Sequence, residues 1–190
     1  RPAVGGARPP LDQALRGELE AWSGNRSAAY DTAQELLSRD CSPQQKVRAL
    51  LVLAKVDFYL GRVSVGHSQL QLARTVATSV GDAHLLSQVL GTLVDCLFHF
   101  ESFESGLAHL SEFKRAAIRS GRPDDLFSLR TLLAEAELKA GRVHRAAREL
   151  ELASVHLAAA PNLVRQAQLS FVRGLVFIGL GQLNHAHSDI

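Results

Sequence analysis

A recurrence constrains this chain more than any other feature. Starting at Gly61, a step of 40 residues lands on Glu101, Gly141 and Gly181. Other columns keep the same step. Five residues after each turn position stands a small residue, Gly66, Gly106, Ala146 and Ala186. Apolar residues stand two after it (Val63, Phe103, Val143, Leu183) and nine after it (Leu70, Leu110, Leu150, Ile190). Three before it come Phe58, Phe98, Leu138 and Ile178, and eight before it Leu53, Leu93 and Leu133, with Arg173 breaking the column. The breakers Gly81, Gly121 and Pro161 follow 20 residues after three of the turns, and a shorter copy surrounds Gly24, with Ala29 at the small position. Self-similarity at such a period marks stacked supersecondary units.

Each column has a physical reason. A glycine just past a helix end supplies the left-handed backbone that other residues resist. A small residue five later lets two antiparallel helices approach, and the leucine column is the buried stripe of the second helix. Ser42, Asp82, Arg122 and Asn162 share a helix-start column in which three of the four are good N-caps. Pro43 and Pro123 follow, where a first-turn proline is tolerated. The spacing predicts helices near 43–60, 64–80, 83–100, 104–120, 123–140, 144–158 and 163–180, after a weaker pair near 11–22 and 27–38. No segment alternates with period two, so no sheet is expected. Residues 1–10, rich in proline and glycine, read as a tail or linker, and residues 11–190 as one helical repeat domain of about five units with turns near 24, 61, 101, 141 and 181. The chain starts with Arg1, and Leu183–Ile190 reads as a helix cut off in mid-course, so a piece of a longer protein is expected.

This pattern resembles the tetratricopeptide repeat (TPR), over about residues 11–190. The matching residues are the Leu-small pairs Leu53-Ala54, Leu93-Val94 and Leu133-Ala134, the turn glycines Gly24, Gly61, Gly141 and Gly181, and Ala73 and Ala153 in the second helices. The usual unit has about 34 residues, so these helices are longer by about a turn. Leu50, Leu90, Arg130 and Ser170 stand where the family carries an aromatic, and Glu101 replaces one turn glycine. The long form is similar to the solenoids of bacterial LuxR-type regulators and of the maltose-regulon activator. The resemblance implies an all-α fold: a right-handed α-solenoid of antiparallel helix pairs whose first helices line a concave face.

If so, the polar columns of the first helices are the candidate contacts. They are mostly polar: Arg48, Gln88, Ser128 and Gln168, then Lys55, Asp95, Glu135 and Leu175, then Tyr59, His99, Lys139 and Gly179. Both charge signs occur, which suits an extended peptide or a polar protein surface. Net charge is +2, no footprint for nucleic acid. No apolar run reaches the roughly 18–20 residues of a membrane helix. Two cysteines without metal or redox spacing, Cys41 and Cys96, suit a reducing, cytoplasmic setting.

Chemistry is sparse. Asp95-Cys96-x-x-His99 sets a thiol and an imidazole on adjacent turns, but Cys96 falls in the apolar column Val56, Cys96, Ala136, Val176 and reads as a buried structural cysteine. His185 and His187 are two apart, the wrong spacing for metal on a helix. The cluster Arg142, His144, Arg145, Arg148 reads as a solvated face. No cofactor and no catalysis are expected within these residues. The expected function is a protein-interaction scaffold. The alternative is an effector-sensing or oligomerisation domain of a bacterial transcription regulator or signalling protein, and a third reading makes the array a targeting module for an attached enzyme. A pocket with apolar walls would favour a sensor, an open groove a scaffold. A cut solenoid end would expose an apolar face and allow self-association.

Overall fold

The structure is a computed structural model that describes residues 24–181. The expected tail at 1–10, the helix near 11–22 and the C-terminal stretch with Leu183, Ala186, His185, His187 and Ile190 lie outside the described residues. Among these residues there are eight helices and no strand: α1 (Arg26–Leu37), α2 (Pro43–Tyr59), α3 (Val63–Val80), α4 (Ala83–Phe100), α5 (Phe103–Ser120), α6 (Pro123–Lys139), α7 (Val143–Ala159) and α8 (Leu163–Gly179).

Local sequence explains the boundaries. Ser42 opens α2 with a capping box, its Oγ accepting from the Gln45 N–H while the Gln45 side chain accepts from the Ser42 N–H. Asp82 and Asn162 cap α4 and α8 through their side chains, whereas Arg122 makes no side-chain cap and leaves the start of α6 to Pro123. At the ends of α2 and α6, Gly61 and Gly141 both have φ +73°, the left-handed region. There the Gly61 N–H donates to the Phe58 carbonyl and the Arg62 N–H to that of Asp57, and Gly141 and Arg142 repeat this on Leu138 and Glu137. These are Schellman caps, which satisfy the orphan carbonyls of the last turn. Glu101 has φ −126° and closes α4 differently, which is why that turn needs no glycine.

Helices α2/α3, α4/α5 and α6/α7 form antiparallel pairs, with α1 against α2 and α8 against α7. Each first helix (α2, α4, α6, α8) also touches the first helix of the next pair, while α3 and α5, and likewise α5 and α7, do not touch through their backbones. The stack is therefore tighter on the first-helix side and curves with that side inward. This is a helical solenoid-like arrangement, as the repeat demanded.

Two columns of the sequence meet in space. A Cβ on Gly66 would lie 2.6 Å from the Phe58 ring, and one on Gly106 only 2.2 Å from the Phe98 ring. The third pair has Leu138 packed in one cluster with Ala146. Where the first helix brings a ring the second has no side chain, and where it brings a leucine the second has a methyl. Each pair thus fills the same interhelical space by a different split of volume.

The core runs through the stack. Leu90, Val94 and Phe98 of α4 pack with Phe113 and Ala117 of α5 and with Leu129 and Leu132 of α6. Contrary to the sequence expectation, α4 does have the length and mean hydropathy, 1.2, of a membrane span, yet 61% of it is buried within the fold. Its apolarity is accounted for by packing against helices on three sides. Polar links pin successive pairs: Arg74 to Glu112 at 2.6 Å and His84 to Asp125 at 2.8 Å, together with Arg165 to Asp124. At the far end of the stack Leu163, Phe171, Leu175 and Ile178 of α8 are exposed.

Candidate functional site

The first helices are held side by side by their apolar columns, so their remaining columns share one face. Between them lies a groove with a cavity of about 460 Å³. Arg48 and Lys55 of α2, Gln88 and Asp95 of α4, Ser128 of α6 and Gln168 of α8 all line it. The structure thus brings together five of the nine candidates taken from the sequence: Arg48, Lys55, Gln88, Asp95 and Gln168.

The other four stand at the turn end of the same helices, outside the cavity. Tyr59 is 57% exposed, sits edge-on to Phe100 at 4.8 Å, and has the Arg26 guanidinium 4.7 Å above its ring. Lys139 donates to the Phe98 carbonyl at 3.0 Å and lies over the Phe98 and Phe103 rings. Its ammonium tethers α6 to the preceding pair. His99 is half exposed at the groove's rim. Its Nδ1 lies 2.9 Å from the Asp95 carbonyl, and its Nε2 is 3.9 Å from the Glu135 carboxylate.

Glu135 is the perturbed member of this group. Burial first, and the Asp95 carboxylate second, push its carboxyl up to about 7, against the pull of His99 and Lys139. Cys96, packed with Ala54, Phe58 and Leu70, is 1% exposed, and its thiol is pushed up to about 12, by burial before Asp95. A thiol held protonated in an apolar pocket is no nucleophile at neutral pH. The Asp95-Cys96-x-x-His99 stretch is therefore packing on one side and rim on the other. In the basic cluster Arg142 pairs with Glu137, and His144, Arg145 and Arg148 are exposed.

Sequence reasoning missed part of the groove. Asp124, Asp125 and Arg165 line one end of the cavity. Asp125 is 4% exposed and held by His84 and the Ser120 hydroxyl, while Asp124 pairs with Arg165. These carboxylates stand in the first turn of α6, where they also suit the helix dipole, so their spacing alone reads as a helix start. Ser87 and Thr131 were missed as well, although each is a hydroxyl in the first-helix core region. Gly91 is packed against the Phe113 ring and also lines the cavity. Gly179 packs on Val143.

No family model and no curated protein matches this chain. Its fold is similar to that in the crystal structure of BtubC (BKLC) from P. vanneervenii, with a TM-score of 0.62 and 17% identity over 94% of this chain and 75% of that one. At that identity the likeness concerns the fold alone.

Proposed function

We propose that this chain is a TPR-like interaction scaffold that holds an extended peptide or the surface of a partner protein in the groove across α2, α4, α6 and α8. The single observation that supports this most is the convergence of polar residues from four different helices on one cavity. Solvated polar residues need not share a face, whereas a binding groove requires it. The lining carries Arg48, Lys55 and Arg165 against Asp95, Asp124 and Asp125, so its charge is balanced. A balanced groove suits a mixed peptide better than a polyanion.

Ser128→Arg tests the reading. Ser128 is half-buried in the groove wall and its hydroxyl bonds only the Asp124 carbonyl of its own helix. An arginine there obstructs the groove without removing any hydrogen bond between helices. In affinity capture from a lysate of the source cells, a partner held by the wild type should be lost with Ser128→Arg. It should be kept with Ser111→Arg on the exposed face of α5. Equal retention by both variants would refute the groove assignment.

The effector-sensor alternative draws on the same cavity, whose volume lies within the roughly 300–1,000 Å³ of small-molecule sites. A metabolite that raises the melting temperature of the wild type but not of Ser128→Arg would favour it.

A further inference from the structure

The groove carries the least side-chain bulk at its middle, as the repeat register shows. Ten residues before each turn the column reads Leu51, Gly91, Thr131, Phe171. Bulk stands at the two ends, and the two central repeats have almost none. At Gly91 there is no side chain at all, and the Phe113 ring of α5 stands directly behind: a Cβ there would lie 3.0 Å from its Cε2. Phe113 therefore closes the floor, with Leu51, Val52 and Leu132 around it.

Over this apolar floor stand two polar atoms that the fold leaves unused. Ser87 is 1% exposed and lines the cavity, and its Oγ has no hydrogen-bond partner among the described residues. The adjacent Gln88 Oε1 is likewise buried without one. Two other hydroxyls of the groove bond back to their own helix, Ser128 to the Asp124 carbonyl and Thr131 to the Phe127 and Ser128 carbonyls. A buried hydroxyl without a partner costs desolvation with nothing in return, so native structures carry few. At the α6/α8 end the charged groups are already partnered, Asp124 by Arg165 and Asp125 by His84. The unmet hydrogen-bonding capacity near the floor is therefore neutral: one hydroxyl, and one amide oxygen that can only accept.

We infer that this pocket takes one uncharged apolar side chain of an extended peptide, seated over Gly91 against Phe113, while Ser87 Oγ and Gln88 Oε1 bond the peptide's backbone. An extended segment offers what these atoms lack, since its N–H can donate to Gln88 Oε1 and its carbonyl can accept from the Ser87 hydroxyl. The cavity exceeds what one side chain needs, which leaves room for the backbone that carries it. This deepens the peptide-groove reading and rests on it.

The test pans a display library of random linear peptides on the wild-type chain. The selected peptides are then measured by fluorescence anisotropy on Ser87→Ala, Thr131→Leu and Ser128→Arg. The selected sequences should share one apolar residue at a fixed position. Ser87→Ala removes no internal hydrogen bond, so its melting temperature should hold or rise while affinity falls about 3- to 10-fold. Thr131→Leu fills the pocket and should weaken binding about 10-fold or more, as expected for a side chain denied its pocket. If Thr131→Leu fails to fold, Ser87→Ala decides. Peptides that are lost with Ser128→Arg, yet share no apolar position and bind Ser87→Ala as they bind the wild type, would overturn the pocket and leave the groove standing. Selection of no peptide, or of peptides indifferent to Ser128→Arg, would overturn both.

Discussion

The first and second helices of each pair are equally long and equally helical, yet they live in different surroundings. Helix α4 buries eleven of its residues and its partner α5 only four, and α2 buries nine against four in α3. Among the described residues α4 and α6 are flanked on both sides by other first helices, while the second helices are spread apart on the outer curve. A polar residue therefore means different things on the two. On a second helix it meets water at little cost. On a first helix it stands among apolar neighbours and must be paired, shared with a groove or left short. Ser87 and Gln88 are of that last sort, whereas Ser68 and Thr75 on α3 bond back to their own helix.

The largest effect that would break this comparison is at the interface between the two kinds of helix. Gly106→Ala pushes a Cβ into the Phe98 ring and should destabilise the chain by about 2–3 kcal/mol, at the high end for overpacking. Adding Phe98→Leu recreates the Leu138/Ala146 combination of the next pair and should recover most of that loss in urea denaturation. A double variant no better than Gly106→Ala would show that the three interfaces are not equivalent. Next in size, Gly141→Val places a β-branched residue at φ +73° in open space. Backbone strain alone should then cost about 1–2 kcal/mol. Thermal melts check it, and unchanged stability would count against the left-handed turn.

A smaller effect sharpens the comparison, because it concerns a carboxylate buried among first helices. The Glu135 carboxyl, raised to about 7 from the ordinary 4.5, keeps a proton in the folded chain that the unfolded chain releases. Its folded pKa lies above its unfolded one, so stability is greatest below the unfolded value and declines as pH rises through about 7. Glu135→Gln stays neutral throughout. It should melt a few degrees above wild type at mildly alkaline pH, with the gap closing on acidification below the ordinary carboxylate value. A gap independent of pH would assign the effect to packing instead.

Much of the fold was legible because each cause is local. Gly61 and Gly141 announce left-handed caps, Ser42 and Asp82 announce helix starts, and the 40-residue step fixes the stacking partner of each unit. The Phe-Gly and Leu-Ala compensation was also written in the columns, but only the structure shows that Phe98 and Gly106 touch. The groove was half legible. Arg48, Gln88 and Gln168 stand in an openly polar column, and they do line the cavity. Glu135 and Lys139 also stand in mostly polar columns, but contacts from neighbouring pairs decide their roles, and one sequence does not place those contacts. Ser87 was hidden because its column, Val47, Ser87, Phe127, Ala167, is otherwise apolar. A lone hydroxyl in such a column was the signal that could have found it.

The central claim is that the inner face of the first helices is where a partner sits. Site-specific photo-crosslinking in the source cells tests it most directly, with the photoreactive residue at Gln88 in the groove or at Ser111 on α5. We expect a discrete crosslinked product from Gln88, abolished by Ser128→Arg, and none from Ser111. A product from Ser111 alone, or one from Gln88 that survives Ser128→Arg, would place the interaction elsewhere and contradict the account.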